Sequence, residues 1–227
     1  MPKLLIIALL SLPIFADFFP KTVETKIASI HTDSIKLVKP LPQNGMSGIV
    51  LHTYKKDAKA ITGYIKQTAS DGTVSKLNYE IVPHEKLPTI KTPIQKGDTV
   101  IGGYLYQNVL LLAPDEKTYA EITSKYNKNW VHPDLYAVFL SEEGETLPTR
   151  ENLAAFAKAH QVGLVYIVRK HSAVLLDPVS QKIVAKQSDE SSSSKTVFPF
   201  FSHFDEIDSG WFSSKETGNY YKLMEKL

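Results

Sequence analysis

The side chains most able to do chemistry in this sequence are its histidines and a group of acidic residues near its end. His203 is followed by Asp205, Glu206 and Asp208, the densest group of potential metal ligands in the chain. Oxygen-rich groups bind calcium when their acidic residues are regularly spaced around a glycine, and this group lacks that spacing. We therefore expect a turn whose carboxylates cap neighbouring backbone amides, with no metal site and no cofactor.

The histidines are scattered along the chain. No two of them have the i, i+3 or i, i+4 spacing that places two imidazoles on one metal ion. A site assembled by folding stays open, although scattered histidines are typical of structural or surface positions. The seven are His31, His52, His84, His132, His160, His171 and His203.

Two short motifs resemble nucleophile sites but do not fit them. Gly45-Met46-Ser47-Gly48 is one residue short of the G-x-S-x-G elbow, and a proline-rich loop precedes it where the elbow needs a strand. Ser192 and Lys195 match S-x-x-K inside a run of serines, which cannot hold a nucleophile and a base in place. The chain has 0 cysteines, so thiol catalysis is excluded. The sequence favours a protein that is not an enzyme, with a hydrolase as the alternative.

A lysine-rich turn is one candidate interaction surface. Lys55, Lys56 and Lys59 lie close together between two predicted strands. A solvated hairpin tip is the simpler interpretation, and a patch that contacts a protein partner is the alternative.

An aromatic segment is the second candidate surface. Residues 198–212 are rich in aromatic side chains that follow neither a helical nor a strand period. Such a segment either docks on its own domain or presents Phe200, Phe201 and Trp211 to a partner. We expect docking, with Phe198, Phe200 or Phe201, and Trp211 largely buried.

The charge of the chain argues against nucleic-acid binding. The net charge of +2 and the pI of about 8.5 come from lysines interspersed with acidic residues. A nucleic-acid-binding protein needs a concentrated basic face, which this pattern does not supply.

The first residues have the pattern of an export signal. Lys3 is followed by the apolar run Leu4–Leu12, then by Pro13 and a stretch that ends at the small residue Ala16. The run is shorter than the about 20 residues that span a bilayer, so a membrane anchor is the weaker interpretation. We expect cleavage after Ala16, no transmembrane span in the mature chain, and a location in the periplasm or at the surface of a Gram-negative bacterium.

The elements that position these residues begin with a β-rich region, which we expect to form a domain over residues 21–113. Thr25–Leu37 reads as a hairpin that turns at Asp33, and Asp71-Gly72 is a strong signal for a second hairpin. Further short strands are predicted up to Val109–Ala113. Frequent turns between short strands predict a small β-barrel or sandwich.

The region from Pro114 predicts an α/β domain over residues 114–187, and the fold class is α+β. One helix begins near Asp115, another follows Thr149 as N-cap, and the apolar run Leu135–Leu140 predicts a buried strand. A serine-rich linker over 188–196 and an aromatic C-terminal arm over 197–227 complete the chain. The remaining predicted elements are strands at 164–169, 172–176 and 182–186 and a short helix at 219–227.

The chain as a whole resembles the N-terminal domain family of bacterial plasminogen-binding proteins. The similarity is strongest in the C-terminal arm, at Pro199-Phe200-Phe201-Ser202 and Ile207-Asp208-Ser209-Gly210. It is also clear from Lys96-Gly97-Asp98 to Glu116 and over Val162–Val168.

This resemblance implies an exported, non-enzymatic protein of the cell envelope or surface that acts by binding another protein. Host plasminogen is the implied partner, and its kringle domains bind exposed lysine clusters or a C-terminal lysine. A looser similarity of architecture to the domains of periplasmic flagellar-assembly proteins gives an alternative, a structural module of an envelope or flagellar assembly.

Overall fold

The structure, a computed structural model, describes residues 18–32, 34–55, 58–78, 92–188, 193–204, 207 and 218–227. Within these residues no helix is long and apolar enough to cross a membrane. The strands are β1 Val23–Ile30, β2 Ile35–Leu37, β3 Ser47–Thr53, β4 Lys59–Gln67, β5 Thr73–Leu77, β6 Thr99–Gly102, β7 Asn108–Leu112, β8 Asn129–Val131, β9 Leu164–Val168, β10 Ser172–Asp177 and β11 Lys182–Ser188. The helices are α1 Glu116–Lys125, α2 Pro133–Glu142, α3 Arg150–His160 and α4 Tyr220–Met224.

The first six strands form a closed antiparallel barrel in the order β1-β2-β5-β4-β3-β6, with β6 pairing back to β1. The predicted hairpins are confirmed, since β1 pairs with β2 and β4 pairs with β5 across the Asp71-Gly72 turn. Asp71 fixes that turn by accepting hydrogen bonds from the backbone N–H and hydroxyl of Thr73. Closure satisfies the backbone groups that an open sheet would leave at its edges.

The second sheet has the order β11-β10-β9-β7-β8, in which β7 runs parallel to both β8 and β9. The strand predicted at Val109–Ala113 as part of the barrel domain is β7, which belongs to this second sheet. Residues 109–112 are all buried, which suits a parallel strand covered on both faces. The division of the chain into two domains stays a prediction.

The run Leu135–Leu140, predicted as a buried strand, lies in helix α2. Tyr136, Ala137 and Leu140 recur at helical spacing and are buried, whereas Leu135 is 49% exposed. A short apolar run cannot be assigned to a strand or a helix by periodicity alone. The decisive signal was the helix start, where Pro133 occupies the first turn after the N-cap His132.

The other helices begin where the sequence indicates. Asp115 caps α1 by accepting from the Thr118 backbone N–H, and Thr149 forms a capping box with Asn152 at the start of α3. Helix α4 at the end of the chain is also as predicted, with Asn219 as its N-cap.

Two hydrophobic cores meet at the second sheet. Because side chains alternate along a strand, Leu110 and Leu112 of β7 pack with α2, α3 and α4, whereas Val109 and Leu111 face the other way. That opposite face packs with α1 and is continuous with the interior of the barrel.

A buried carboxylate joins the barrel to the second sheet. Asp177, at the end of β10, is 0% exposed. Its Oδ2 accepts from the Ser47 backbone N–H at 2.8 Å and from the Tyr106 hydroxyl at 2.6 Å. Its Oδ1 accepts from the backbone N–H groups of Val179 and Ser180. Burial raises the pKa of Asp177, and the hydrogen bonds from Ser47, Tyr106 and Ser180 oppose that shift.

Replacing Asp177 by alanine should lower the free energy of unfolding by about 3 kcal/mol or more, because the buried donors Ser47 and Tyr106 lose their acceptor. Tyr106→Phe removes one hydrogen bond and leaves the carboxylate with three donors, so we expect a loss of about 1–2 kcal/mol. Urea unfolding followed by circular dichroism measures both. Equal losses in the two variants would contradict the role assigned to the carboxylate.

Candidate functional site

Residues 193–204, the end of the serine-rich linker and the start of the C-terminal arm, pass the carboxyl end of β7. The Val197 backbone N–H donates to the Pro114 carbonyl at 2.7 Å, and the Phe201 N–H donates to the Ala113 carbonyl at 2.9 Å. In sheets with parallel strands, the carboxyl ends of the strands are the usual place for ligand sites. The arm therefore covers the edge of the second sheet where such a site would be sought.

Two neighbouring phenylalanines hold the arm in place. Phe200 is 1% exposed and its ring lies 5.4 Å from that of Tyr136 on α2. Phe201 is 7% exposed and its ring lies 5.5 Å from that of Tyr119 on α1. Because the two side chains enter different cores, the arm is wedged between α1 and α2.

Helix α4 closes the same edge of the sheet. The Tyr220 hydroxyl donates to the carbonyls of Leu112 and Val168, the last residues of the parallel strands β7 and β9, at 2.9 and 2.8 Å. Burial raises the pKa of Tyr220 well above its usual value, which keeps the hydroxyl protonated as a donor. Gly218 lies directly against the Phe198 ring, which a β-carbon would approach to 2.4 Å.

Three polar side chains converge beside the arm. His132 directly follows β8, and its Nδ1 accepts from the Asp134 backbone N–H at 3.2 Å. The arm contributes His203, whose backbone N–H donates to Asp134 Oδ1 at 2.9 Å and whose Nδ1 lies 2.9 Å from Oδ2. The two imidazole rings are stacked, with centroids 5.0 Å apart and planes 8° from parallel.

The carboxylate at the centre of this group is ionised at neutral pH. Burial alone would raise the pKa of Asp134, but the hydrogen bonds from His203 and the charges of His132 and His203 outweigh burial and lower it. The group is open to solvent, since the side chains of His132, Asp134 and His203 are 35%, 27% and 64% exposed. It combines one anionic oxygen ligand with two imidazoles at the surface.

Folding brings this group together from distant parts of the sequence. His203 lies 69 positions after Asp134, so no local spacing could reveal the contact. Within the part of the chain that the structure describes, His132, Asp134 and His203 are the one group of three potential metal ligands, with all ligand atoms within 4.8 Å of one another. The acidic residues predicted beside His203, namely Asp205, Glu206 and Asp208, lie outside the described residues.

The residues predicted for an interaction surface differ in their exposure to solvent. Phe200 and Phe201 are buried, which removes both from an exposed contact surface. Lys55 and Lys59 are exposed on either side of the β3–β4 turn. Lys56, Trp211 and the expected cleavage residue Ala16 lie outside the described residues, so the docking of the whole arm stays a prediction.

Ser47, the serine of the elbow-like motif, is 2% exposed at the start of β3. A nucleophile elbow instead places its serine on an exposed turn between a strand and a helix. The role of this segment is structural, since the Ser47 backbone N–H binds Asp177.

A closed barrel, a mixed sheet and an arm over the carboxyl edge of that sheet make up an α+β fold. The profile of the family described as plasminogen-binding protein pgbA N-terminal matches residues 22–227, and the chain belongs to this family. Its relatives include the plasminogen-binding protein PgbA of Helicobacter pylori strains J99 and 26695, each 30% identical over 155 residues. The match covers 66% of this chain and 34% of each relative, so the chain spans about a third of their length. No solved structure matches the chain.

The arm itself offers a matched pair of substitutions. Phe200→Ala should destabilise the protein by about 3–5 kcal/mol, because it leaves a cavity between the arm and α2. Phe204→Ala is the control, since Phe204 is 46% exposed in the same segment and its loss should cost less than about 0.5 kcal/mol. Thermal and urea unfolding measure both variants. Similar stability of the two variants would show that the arm does not dock in solution.

Proposed function

We propose that this protein is an exported, non-enzymatic protein of the cell envelope or surface that binds plasminogen. The observation that carries the proposal is the family match over residues 22–227, together with relatives named for plasminogen binding. The pattern of an export signal at Lys3–Ala16 supports the location. The binding itself requires an exposed feature that a lysine-binding partner can recognise.

The β3–β4 hairpin supplies such a feature. Tyr54 N–H donates to the Ala58 carbonyl at 2.7 Å and closes the turn, with Lys55 and Lys59 exposed beside it. Neither lysine forms an ion pair with a described residue, whereas Lys36 is held by Asp71 at 2.6 Å. Ammonium groups that form no ion pair with a described residue can reach a partner without first breaking such a contact.

Replacing both Lys55 and Lys59 by alanine should weaken plasminogen binding about tenfold or more, which corresponds to about 1.4 kcal/mol. Surface plasmon resonance with immobilised plasminogen measures the affinity, and a free lysine analogue should displace the wild-type protein. The double variant Lys170→Ala and Lys222→Ala is the control, because it removes two exposed lysines that likewise form no ion pair with a described residue. Binding that is insensitive to the lysine analogue, or equally weak in the control, would refute the proposal.

Export predicts a defined processing event. In a Gram-negative host the chain should lose residues 1–16, and Ala16→Arg should retain them because the cleavage enzyme needs a small residue at this position. Ala16→Ser keeps a small residue and should be processed like the wild type. Mass spectrometry of the N-terminus measures the processing. Digestion of the protein by protease added to intact cells distinguishes a surface location from a periplasmic one. Unprocessed protein confined to the cytoplasm would contradict export.

A further inference from the structure

We propose that His132, Asp134 and His203 bind a divalent first-row transition-metal ion, for which zinc is the natural probe. Two imidazole nitrogens and one carboxylate oxygen form a three-ligand set that zinc completes with a solvent molecule. The proposal goes beyond plasminogen binding and does not depend on it.

The distances suit such an ion. Zinc lies about 2.0–2.2 Å from nitrogen and oxygen ligands, which places neighbouring ligand atoms about 3–4 Å apart. The Nδ1 atoms of His203 and His132 lie 2.9 and 3.3 Å from Asp134 Oδ2. One potential ligand atom from each of the three residues lies within 4.8 Å of the other two. The ligands are therefore close to their bound separation before an ion enters.

Binding through these nitrogens exchanges two hydrogen bonds for bonds to the ion: the one that His132 Nδ1 accepts from the Asp134 backbone N–H and the one between His203 Nδ1 and Asp134 Oδ2. It also requires a rotation of one ring. Stacked imidazoles direct their in-plane lone pairs side by side, so one ring must turn for both lone pairs to meet at one ion. His203 is suited to this movement because its side chain is 64% exposed.

The scaffold holds the ligands from both sides. His132 and Asp134 belong to the start of α2, where Pro133 fixes the first turn. His203 is positioned by the buried Phe201, whose backbone N–H is bound to Ala113. The group also lies beside the carboxyl ends of the parallel strands β7 and β8, the edge where sheets of this kind bind ligands.

The donor set selects the class of ion. Calcium needs six to eight oxygen ligands and magnesium an octahedral oxygen shell, whereas this group offers one carboxylate. Imidazole nitrogen favours zinc, nickel, copper and related ions. An ion at this position would join the arm, through His203, to helix α2, and so would fasten the arm to the sheet.

The test is isothermal titration calorimetry of the full chain without a histidine tag. We expect about one zinc ion per chain and no binding of calcium or magnesium at the same concentrations. His203→Gln and Asp134→Asn should each weaken zinc binding at least tenfold. His171→Gln is the matched control, since His171 is exposed on the β9–β10 turn, and it should bind zinc like the wild type.

A second readout locates the ion and guards against a folding defect. Zinc should shift the imidazole ¹⁵N resonances of His132 and His203 and leave those of His171 unchanged, and it should raise the melting temperature of the wild type but not of His203→Gln. Circular dichroism of the variants without zinc checks their folding. His203→Gln is the decisive variant, because replacing an exposed side chain should leave the fold intact. Equal zinc affinity in the wild type and His203→Gln would overturn the proposal, as would calcium binding of similar strength.

Discussion

The carboxylate of Asp177 is the contact on which the arrangement of this protein depends. It is fully buried, yet it accepts hydrogen bonds from four groups, two of which lie outside its own turn. One of these two, Ser47, begins barrel strand β3, and the other, Tyr106, lies in the connection from the barrel to β7. A buried carboxylate left without donors would cost several kcal/mol, so these contacts hold the barrel against the second sheet.

The connection from the barrel to β7, which contains Tyr106, also packs closely against Gly163. Gly163, just before β9, lies so close to the backbone of Leu105 that a β-carbon would come within 2.2 Å of its carbonyl oxygen. The Gly163 backbone N–H also donates to the Asn108 carbonyl. The Leu105–Asn108 connection is thus fixed between Asp177 and Gly163. This anchors the amino-terminal edge of the parallel strands and leaves their carboxyl edge to be covered by the arm.

The features that could be predicted from the sequence are those encoded by neighbouring residues. The Asp71-Gly72 hairpin and the Thr149 cap depend on local turn and capping chemistry, so they were read correctly. The prediction of a strand at Leu135–Leu140 is wrong because a short apolar run fits both a strand and a helix. Asp177 binds Ser47 at a separation of 130 positions, and the contact of His203 with Asp134 spans 69 positions, so neither role has a local signal.

The lysine turn lies far from the group formed by His132, Asp134 and His203. From Ser47 at the Asp177 junction, β3 extends to Thr53 before the lysine turn, a path of about 20 Å at 3.3 Å per residue. The histidine group lies instead at the carboxyl edge of the second sheet. Strand β7 begins near the Asp177 junction and ends near this group. An ion at that edge would link the arm to helix α2. Lys55 and Lys59 belong to the barrel, which closes without the arm and without α2. The metal site and the binding surface proposed above therefore lie on different parts of the scaffold, and each can change without altering the other.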